Sequence, residues 1–288
     1  MSEPVRFIHL TDLHVGDPAV RDEHLYSDTN ATLAAILADV KKLVPAPRFV
    51  VVSGDLTNRG DAGSYEMLKS IFAEADLAMP VLFALGNHDR RDGFYQVMLG
   101  KTDHDDTPYD HSCVIDGIHV VVLDSSLPGK VGGGFEPGQI DWLKAELEHH
   151  ADLPKLLVMH HAPTLDADPA TEWEALSISD TEVLRQTVAG KNILGILSGH
   201  VHYDRVSNWY GVPVVIGIGQ HGPTDVQWLH EGIRMLEGAS FVIGAARPSG
   251  LTVTFAPLRK EVRELSRSTH VEMVELIKSF ETGQQAAE

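Results

Sequence analysis

Five short motifs of this 288-residue chain carry side chains that can bind metal ions. In chain order they are Asp12-Leu13-His14, Gly54-Asp55, Gly86-Asn87-His88-Asp89, His160-His161 and Gly199-His200-Val201-His202. Any one of these motifs is common by chance, because a single histidine at the end of a strand more often caps a turn or fills a gap in the core. Together they supply carboxylate, amide and imidazole groups, a mixed oxygen and nitrogen set that suits Mn, Fe, Co or Zn better than Mg or Ca. The combination predicts a metal centre.

The motifs follow short apolar runs of the kind that form strands covered on both faces. Ligand-capable residues end five of six such runs, which are VRFIHL at 5–10, FVVVS at 49–53, PVLFAL at 80–85, HVVVLD at 119–124, LLVMH at 156–160 and ILGILS at 193–198. The spacing of apolar residues predicts helices over about 29–43, 62–76, 137–150 and 179–189. The chain is therefore predicted to be an α/β protein. Because ligands bind beyond the carboxyl ends of strands in such sheets, we expect the motifs to converge in space.

The pattern of the chain changes after Tyr203. Short apolar pieces with Gly and Pro turns predict hairpins of a second sheet over 203–257, and helical spacing predicts a terminal helix at about 268–281. We expect a catalytic domain over 1–257 and a helical tail over 258–288. The glycines of 126–138 match neither nucleotide-binding fingerprint, which favours a mobile surface loop over a phosphate-binding loop.

Composition limits the classes of function. The formal net charge of -18 repels nucleic-acid backbones and anionic lipid, so we expect no stable nucleic-acid binding. No apolar run approaches the roughly 20 residues of a membrane span, and the N-terminus lacks the basic and apolar regions of a secretory signal. The single cysteine, Cys113, excludes an intrachain disulfide and suits a reducing compartment. We expect a cytoplasmic protein without membrane association.

The five motifs together resemble the signature of the calcineurin-like metallophosphoesterases, which is DxH, GDxx, GNHD or GNHE, a later His, and GHxH. Here the blocks are DLH, GDLTNRG, GNHD, MHHAP and SGHVH, and they span about residues 7–202. The resemblance implies a four-layer α/β/β/α sandwich with two central mixed β-sheets flanked by helices. It also implies two divalent or mixed-valence transition metal ions (Mn, Fe, Zn or Co) at one end of the sheets.

The resemblance also implies the ligands of the two metals. They form two sets that share a bridging carboxylate: Asp12, His14 and His202 for one metal, Asn87, His160 and His200 for the other, and Asp55 between them. Because neighbouring residues of a strand point to opposite sides, only one of His160 and His161 is expected to bind metal. The family pattern places the ligand three residues before a proline, here Pro163, which favours His160. His9 is expected to be structural.

The resemblance implies a hydrolysis in which a hydroxide that bridges the two metals attacks phosphorus in line. His88, next to Asn87, resembles the general acid of the family, which gives a proton to the leaving alkoxide. Asp89 is expected to hold the ring of His88 in orientation. The catalytic residues are thus expected to be His88 and Asp55. The alternative for His88 is a buried turn histidine.

The blocks GDLTNRG and HHAP are similar to those of bacterial class III cyclic-nucleotide phosphodiesterases and glycerophosphodiesterases. We therefore expect hydrolysis of small phosphodiesters, either cyclic nucleotides such as cAMP or glycerophosphodiesters. The alternatives are a phosphomonoesterase or protein phosphatase of the same fold and, in another class, a noncatalytic scaffold, which the complete ligand set disfavours. Asn58 stands where purple acid phosphatases have a tyrosine ligand, so no tyrosinate ligand is expected.

Substrate specificity is expected to depend on the outer wall of the site. Candidates for that wall are Asn58, Arg59, Arg90, Arg91 and residues near His221. For the side chains of Arg59 and Arg91, the sequence does not distinguish a contact with a phosphate from an ion pair on the surface. The region 203–257 and the terminal helix are candidates for a homo-oligomer interface.

Overall fold

The computed structural model describes residues 3–102, 106–165, 173–259 and 263–281. The chain divides into two compact units, residues 1–258 and 259–288. The second unit contains helix α6 (His270–Glu281). The elements of the first unit are β1 (Val5–Leu10), α1 (Thr29–Val40), β2 (Phe49–Ser53), α2 (Ala62–Ala75), β3 (Val81–Ala84), α3 (Arg91–Gly93) with a π-helical turn (Phe94–Met98), β4 (His111–Ile115), β5 (Ile118–Val122), α4 (Gln139–His149), β6 (Lys155–Val158), α5 (Ile178–Val188), β7 (Ile193–Ser198), β8 (Arg205–Trp209), β9 (Val212–Ile216), β10 (Ser240–Arg247) and β11 (Gly250–Pro257).

The strands form two mixed sheets. The first has the order β11-β10-β1-β2-β3, and the second has the order β4-β5-β6-β7-β9-β8. Strands β1, β2 and β3 are parallel to one another, as are β5, β6, β7 and β9, whereas the outer pairs are antiparallel. Each sheet therefore presents a row of parallel strands whose carboxyl ends lie at one edge.

The two C-terminal hairpins join different sheets, so the prediction that they belong to a second sheet was wrong for β10 and β11. Strand β9 pairs with β7 and extends the second sheet, while β10 pairs with β1 and extends the first. The edges of β1 and β7 would otherwise expose unpaired backbone groups, and the hairpins satisfy them. The hairpin region thus completes both sheets.

Side chains alternate between the two faces of each sheet. Ile8 and Val50 pack in one core with α1 and α2, whereas Phe7 and Val51 pack in the core between the sheets. The second sheet likewise covers its outer face with α4 and α5. Two sheets face to face with helices outside form the four-layer α/β/β/α sandwich that was predicted.

The predicted helices begin and end within a few residues of the observed ones. Capping explains two of the starts, because Asp28 accepts a hydrogen bond from the backbone N of Ala31 at 2.9 Å and Asp61 accepts one from the backbone N of Ser64 at 3.0 Å. Strand β4 was not predicted. Among the described residues, no helix is both long and apolar enough to cross a membrane.

The glycine-containing segment 126–138 is attached to the protein at several points. Gly133 forms a bridge with Leu176, and Nε2 of His161 donates to the carbonyl oxygen of Val131 at 2.9 Å. A Cβ on Gly133 would lie 2.4 Å from the ring of His161, so the glycine permits a close contact. The segment is therefore attached to neighbouring parts of the chain at Val131 and Gly133.

Candidate metal centre

The five motifs meet where β1, β2 and β3 of one sheet and β6 and β7 of the other end. Strands β1 and β2 run parallel with His9 opposite Val51, which brings the turns after them side by side. Five of the predicted ligands lie in these turns with a positive φ, at +44° to +79°: Asp12, His14, Asp55, His200 and His202. Non-glycine residues seldom adopt this conformation, and such strain clusters at functional sites. The turns aim the side chains back toward the gap between the sheets.

One half of the site is built from Asp12, His14, Asp55 and His202, which are all buried. Their potential ligand atoms lie within 4.8 Å of one another. Nε2 of His202 lies 3.3 Å from Oδ1 of Asp12, and Nε2 of His14 lies 3.6 Å from Oδ2 of Asp55. This group has the size and the chemistry of a metal site.

The proton positions of two histidines support a cation in this half. Nδ1 of His14 donates to Oδ1 of Asn58 at 2.9 Å, and Nδ1 of His202 donates to the carbonyl oxygen of Gly222 at 3.1 Å. In the neutral form of each ring, Nε2 therefore carries the lone pair. These two Nε2 atoms lie only 3.2 Å apart, an arrangement that a shared positive ion stabilises. The residues fit a metal ion.

The second half of the site is built from Asp55, Asn87, His160 and His200. Nε2 of His160 lies 3.3 Å from Oδ2 of Asp55 and 3.2 Å from Oδ1 of Asn87, while its Nδ1 donates to the carbonyl oxygen of Ser53 at 2.9 Å. Nε2 of His160 thus faces two oxygen acceptors. The same atom is placed to bind a metal ion instead of its proton.

His200 has the opposite orientation. Its Nε2 donates to the carbonyl oxygen of Trp173 at 2.7 Å, which leaves Nδ1 for a metal. The His200 ring lies 5.1 Å from that of His160, and its backbone N donates to both carboxylate oxygens of Asp12 at 3.0 and 3.1 Å. His200 therefore connects the two halves of the site.

The electrostatics of the site are set by two buried carboxylates. Burial alone would raise the pKa of Asp12 and of Asp55, but His202 and His160 respectively hold these pKa values well below the usual range. Burial lowers the pKa of His160, yet the Asp55 carboxylate outweighs it and raises that pKa to about 9. Burial prevails at His14, whose pKa falls to about 3. The carboxylates stay charged and attract positive charge into the site.

His88 lies beside the metal ligands, but Asp89 does not orient it. Nδ1 of His88 donates to the carbonyl oxygen of Asn58 at 2.9 Å. Asp89 instead accepts hydrogen bonds from the backbone N of Leu56 at 3.0 Å and from the hydroxyl of Tyr65 at 2.9 Å. Burial raises the pKa of Asp89 to about 6, with a further contribution from Asp55. Asp89 thus holds the turns around Asp55, and the expected contact with His88 was wrong.

His161 is occupied by other contacts. Its Nδ1 lies 3.0 Å from Oγ of Ser125, and its Nε2 donates to the carbonyl oxygen of Val131. Both ring nitrogens therefore have partners outside the carboxylate cluster. Its side chain connects the end of β6 to the segment that begins after β5.

The arginines of the outer wall differ in their exposure and in their ion pairs. The side chain of Arg91 is only 5% exposed and pairs with Asp124 at 2.9 Å and with Glu136 at 2.7 Å. Arg90 pairs with Asp92 at 2.8 Å on the surface. Arg91 therefore forms buried ion pairs and not the surface ion pair considered from the sequence. Arg59 is exposed and lines a cavity with His88.

Several residues at the site were not identified from the sequence. Asp22 accepts a hydrogen bond from Nδ2 of Asn58 at 2.7 Å, and so orients the amide that holds His14. The ring of His221, whose neighbourhood alone was suggested, lies 4.7 Å from that of His14. Tyr26 stacks on His221. These residues lie in loops without a recognisable motif.

Residues 5–204 match the family model of the calcineurin-like phosphoesterases. The chain belongs to this family. It is therefore a phosphoric ester hydrolase, and the Asp and His cluster is its candidate dinuclear metal site. The predicted fold and enzyme class are confirmed.

Relatives of this calcineurin-like phosphoesterase include bacterial phosphodiesterases. It is 33% identical over 215 residues to a probable cyclic nucleotide phosphodiesterase of Rhodococcus erythropolis, with 73% of this chain and 68% of that protein covered. It is 30% identical over 239 residues to a cAMP/cGMP dual specificity phosphodiesterase of Mycobacterium tuberculosis, with 81% and 72% covered. It is also 30% identical over 162 residues to a glycerophosphodiester phosphodiesterase of Enterobacter lignolyticus, with 52% and 56% covered.

Solved structures share the fold at low identity. A dimetal phosphatase from Danio rerio superimposes with a TM-score of 0.60 at 14% identity, with 87% of this chain and 99% of that chain covered. A purple acid phosphatase from yellow lupin superimposes with a TM-score of 0.63 at 15% identity, with 88% and 52% covered. These likenesses concern the fold alone.

Proposed function

We propose that this calcineurin-like phosphoesterase is a dinuclear-metal-dependent phosphodiesterase that hydrolyses small phosphodiesters, either cyclic nucleotides such as cAMP or glycerophosphodiesters. One observation carries the dinuclear part of the proposal. Oδ2 of Asp55 lies 3.6 Å from Nε2 of His14 and 3.3 Å from Nε2 of His160, so one carboxylate oxygen faces both halves of the site. The diester preference is supported by relatives with cyclic nucleotide or glycerophosphodiester phosphodiesterase names.

The chemistry of the donors supports Mn, Fe, Zn or Co as the metals. We propose that Asp55 bridges two ligand sets: Asp12, His14 and His202 in one, and Asn87, His160 and His200 in the other. Two such ions would offset the charge of the phosphoryl oxygens and supply an activated water. The protein holds this constellation through hydrogen bonds that fix each imidazole ring.

His88 is the proposed proton donor to the leaving oxygen. Its Nδ1 is engaged with the carbonyl oxygen of Asn58, so Nε2 is the atom that can carry a transferable proton. The ring lies 4.7 Å from that of His14, next to the metal centre. Its position therefore suits general acid catalysis.

We further propose that residues 1–257 are the catalytic domain and residues 258–288 a helical tail. The acidic composition and single cysteine support a cytoplasmic location without stable nucleic-acid or membrane binding. The hairpin region and the terminal helix are proposed to contribute to a homo-oligomer. Gel filtration with light scattering tests the last point, and a monomer at all concentrations would contradict it.

The decisive experiment compares a diester with its monoester. The protein is reconstituted separately with Mn, Fe, Zn or Co and assayed on bis(p-nitrophenyl) phosphate and p-nitrophenyl phosphate. We expect the diester to be the better substrate by kcat/KM, and Asp55→Ala to abolish both activities. Preference for the monoester would contradict the phosphodiesterase proposal, and full activity of Asp55→Ala would contradict the dinuclear site.

A further inference from the structure

Two cavities flank the metal centre, and Asn58 and His88 line both. The first, of about 720 Å³, is lined by charged residues that include Arg59, Arg90 and Asp92. The second, of about 600 Å³, is here called the aromatic cleft, and its wall includes Tyr26, Trp173, Tyr203, His221, Leu229 and Ile233. The two sides of the metal centre therefore differ, because one is lined mainly by charged residues and the other mainly by aromatic and apolar residues.

Tyr26 is fixed in the aromatic cleft although its side chain is exposed. The residue is 69% exposed, yet its ring stacks on that of His221 with centroids 5.5 Å apart and planes 12° apart. Oγ of Ser27 donates to the carbonyl oxygen of His221 at 3.0 Å and holds the same turn. His221 in turn lies 4.7 Å from the metal ligand His14. An open aromatic face is thus positioned beside the metal centre.

The remaining wall of the aromatic cleft is also apolar and also fixed. Trp173 is 40% exposed, and its carbonyl oxygen accepts the hydrogen bond from His200. Leu229 and Ile233 are 44% and 62% exposed. They lie on a loop closed by the hydrogen bond from the backbone N of Leu236 to the carbonyl oxygen of Pro223 at 2.8 Å. Exposed apolar side chains gathered around one cavity indicate a binding surface.

The wall of the aromatic cleft contains one acidic side chain, that of Glu174. Among the described residues, no lysine or arginine lines this cleft. Glycerol is small and polar and gains little from aromatic walls, whereas a choline headgroup would gain from them through a cation–π contact. A nucleobase gains from stacking and from apolar contact without needing a cation.

We propose that the aromatic cleft binds the base of a nucleoside cyclic phosphate, and that Tyr26 is a specificity-determining residue. This inference rests on the proposed phosphodiesterase function. It names cyclic nucleotides as the substrate class, and a preference for glycerophosphocholine over adenosine 3',5'-cyclic phosphate would contradict it.

The test uses two substrates that differ only in the base: adenosine 3',5'-cyclic phosphate and the corresponding 1-deoxyribose 3',5'-cyclic phosphate. The metal-loaded wild type should prefer the first by at least about tenfold in kcat/KM, the amount that stacking on one aromatic ring contributes. Tyr26→Ala should lower kcat/KM for the adenosine substrate about tenfold, chiefly by raising KM. The kcat/KM of this variant for the base-free substrate should stay close to the wild-type value.

Tyr210→Ala is the matched control, because Tyr210 is 76% exposed and lines neither cavity. It should retain wild-type values for both substrates. An equal loss on both substrates in Tyr26→Ala, or no loss on either, would overturn the inference while the phosphodiesterase proposal stands. If neither substrate nor any other diester is hydrolysed, the phosphodiesterase proposal fails. In that case calorimetry with AMP and ribose 5-phosphate tests whether the aromatic cleft binds a base. Equal affinities of the wild type for these two ligands would overturn the inference.

Discussion

Gly86 lies so close to Asp55 that a Cβ on the glycine would come within 2.3 Å of Oδ1 and 2.4 Å of the backbone N. Side-chain carbons do not approach other atoms this closely. The residue that a Cβ on Gly86 would meet is Asp55, whose carboxylate faces both halves of the site. The lack of a side chain at Gly86 therefore allows its backbone to lie against Asp55.

Gly86→Ala should displace the Asp55 carboxylate by a fraction of an ångström or more. We expect reduced occupancy of both metals and a loss of roughly 10²-fold in turnover, since misplacement on this scale has that effect. Atomic emission spectrometry and kcat measure the two quantities. The control is Gly100→Ala, where φ is +66° and no atom lies within 4 Å of the added Cβ. It should reduce stability without changing the metal content, and equal metal loss in both variants would refute the prediction.

Separate substitutions should reveal the two ligand sets. Asp55→Ala is expected to lose both ions, because its Oδ2 serves both halves, whereas His202→Ala and Asn87→Ala should each lose about one. Metal content per chain after dialysis is the measurement. His161→Gln serves as the control, because both ring nitrogens of His161 have protein partners. Retention of two ions in Asp55→Ala, or loss of an ion in His161→Gln, would argue against the assignment.

His88→Ala should slow hydrolysis while sparing the metals. A positioned general acid contributes roughly 10²-fold to 10⁴-fold. The loss should be largest for alkyl leaving groups and smallest for p-nitrophenolate, which leaves without a proton. A series of diesters with leaving groups of graded pKa gives the measurement. A loss that is uniform along the series would indicate a binding role for His88 instead.

Arg91→Leu should destabilise the fold far more than Arg90→Leu. The first leaves Asp124, which is 0% exposed, without its ion-pair partner, at a cost of about 3–5 kcal/mol. The second breaks a pair whose side chains are 65% and 55% exposed, at a cost of at most about 1 kcal/mol. Urea unfolding measures both free energies. Similar costs for these adjacent arginines would show that the buried pair contributes little.

Acid should destabilise the protein partly through His9. Burial lowers the pKa of His9 to about 4, against a raising effect of Asp12, and the side chain is 1% exposed. The unfolded chain binds the proton near pH 6.5, so the stabilisation is present above this pH and is lost as the pH falls toward 4. His9→Leu should therefore remove about 2 kcal/mol of the stability loss between pH 7 and pH 5.

Urea unfolding of chelator-treated protein at both pH values is the measurement for His9. The control is His230→Leu, the same substitution at a histidine whose side chain is 72% exposed. The prediction fails if His9→Leu keeps the wild-type difference between the two pH values.

Much of the fold could be predicted from local patterns. Continuous apolar runs correspond to β1, β2, β3, β5, β6 and β7, and helical spacing gave the helices to within a few residues. Strand β4 was missed because its side chains are only partly buried and its apolar pattern is weak. The hairpins were recognised, but not the sheets they join, since pairing depends on edges formed by distant strands.

The sequence by itself determined which residue types gather at the candidate metal centre, because each ligand follows a strand whose apolar pattern is visible locally. It also determined the family, since the spacing of those motifs is specific. Only the tertiary structure decided how each imidazole is held, that Asp89 supports the turns and not His88, and that Tyr26 stacks on His221. These contacts join residues far apart in the chain: His14 and His202 are 188 positions apart, and Tyr26 and His221 are 195 apart. Such contacts follow from the packing of the two sheets and their loops, which no local pattern contains.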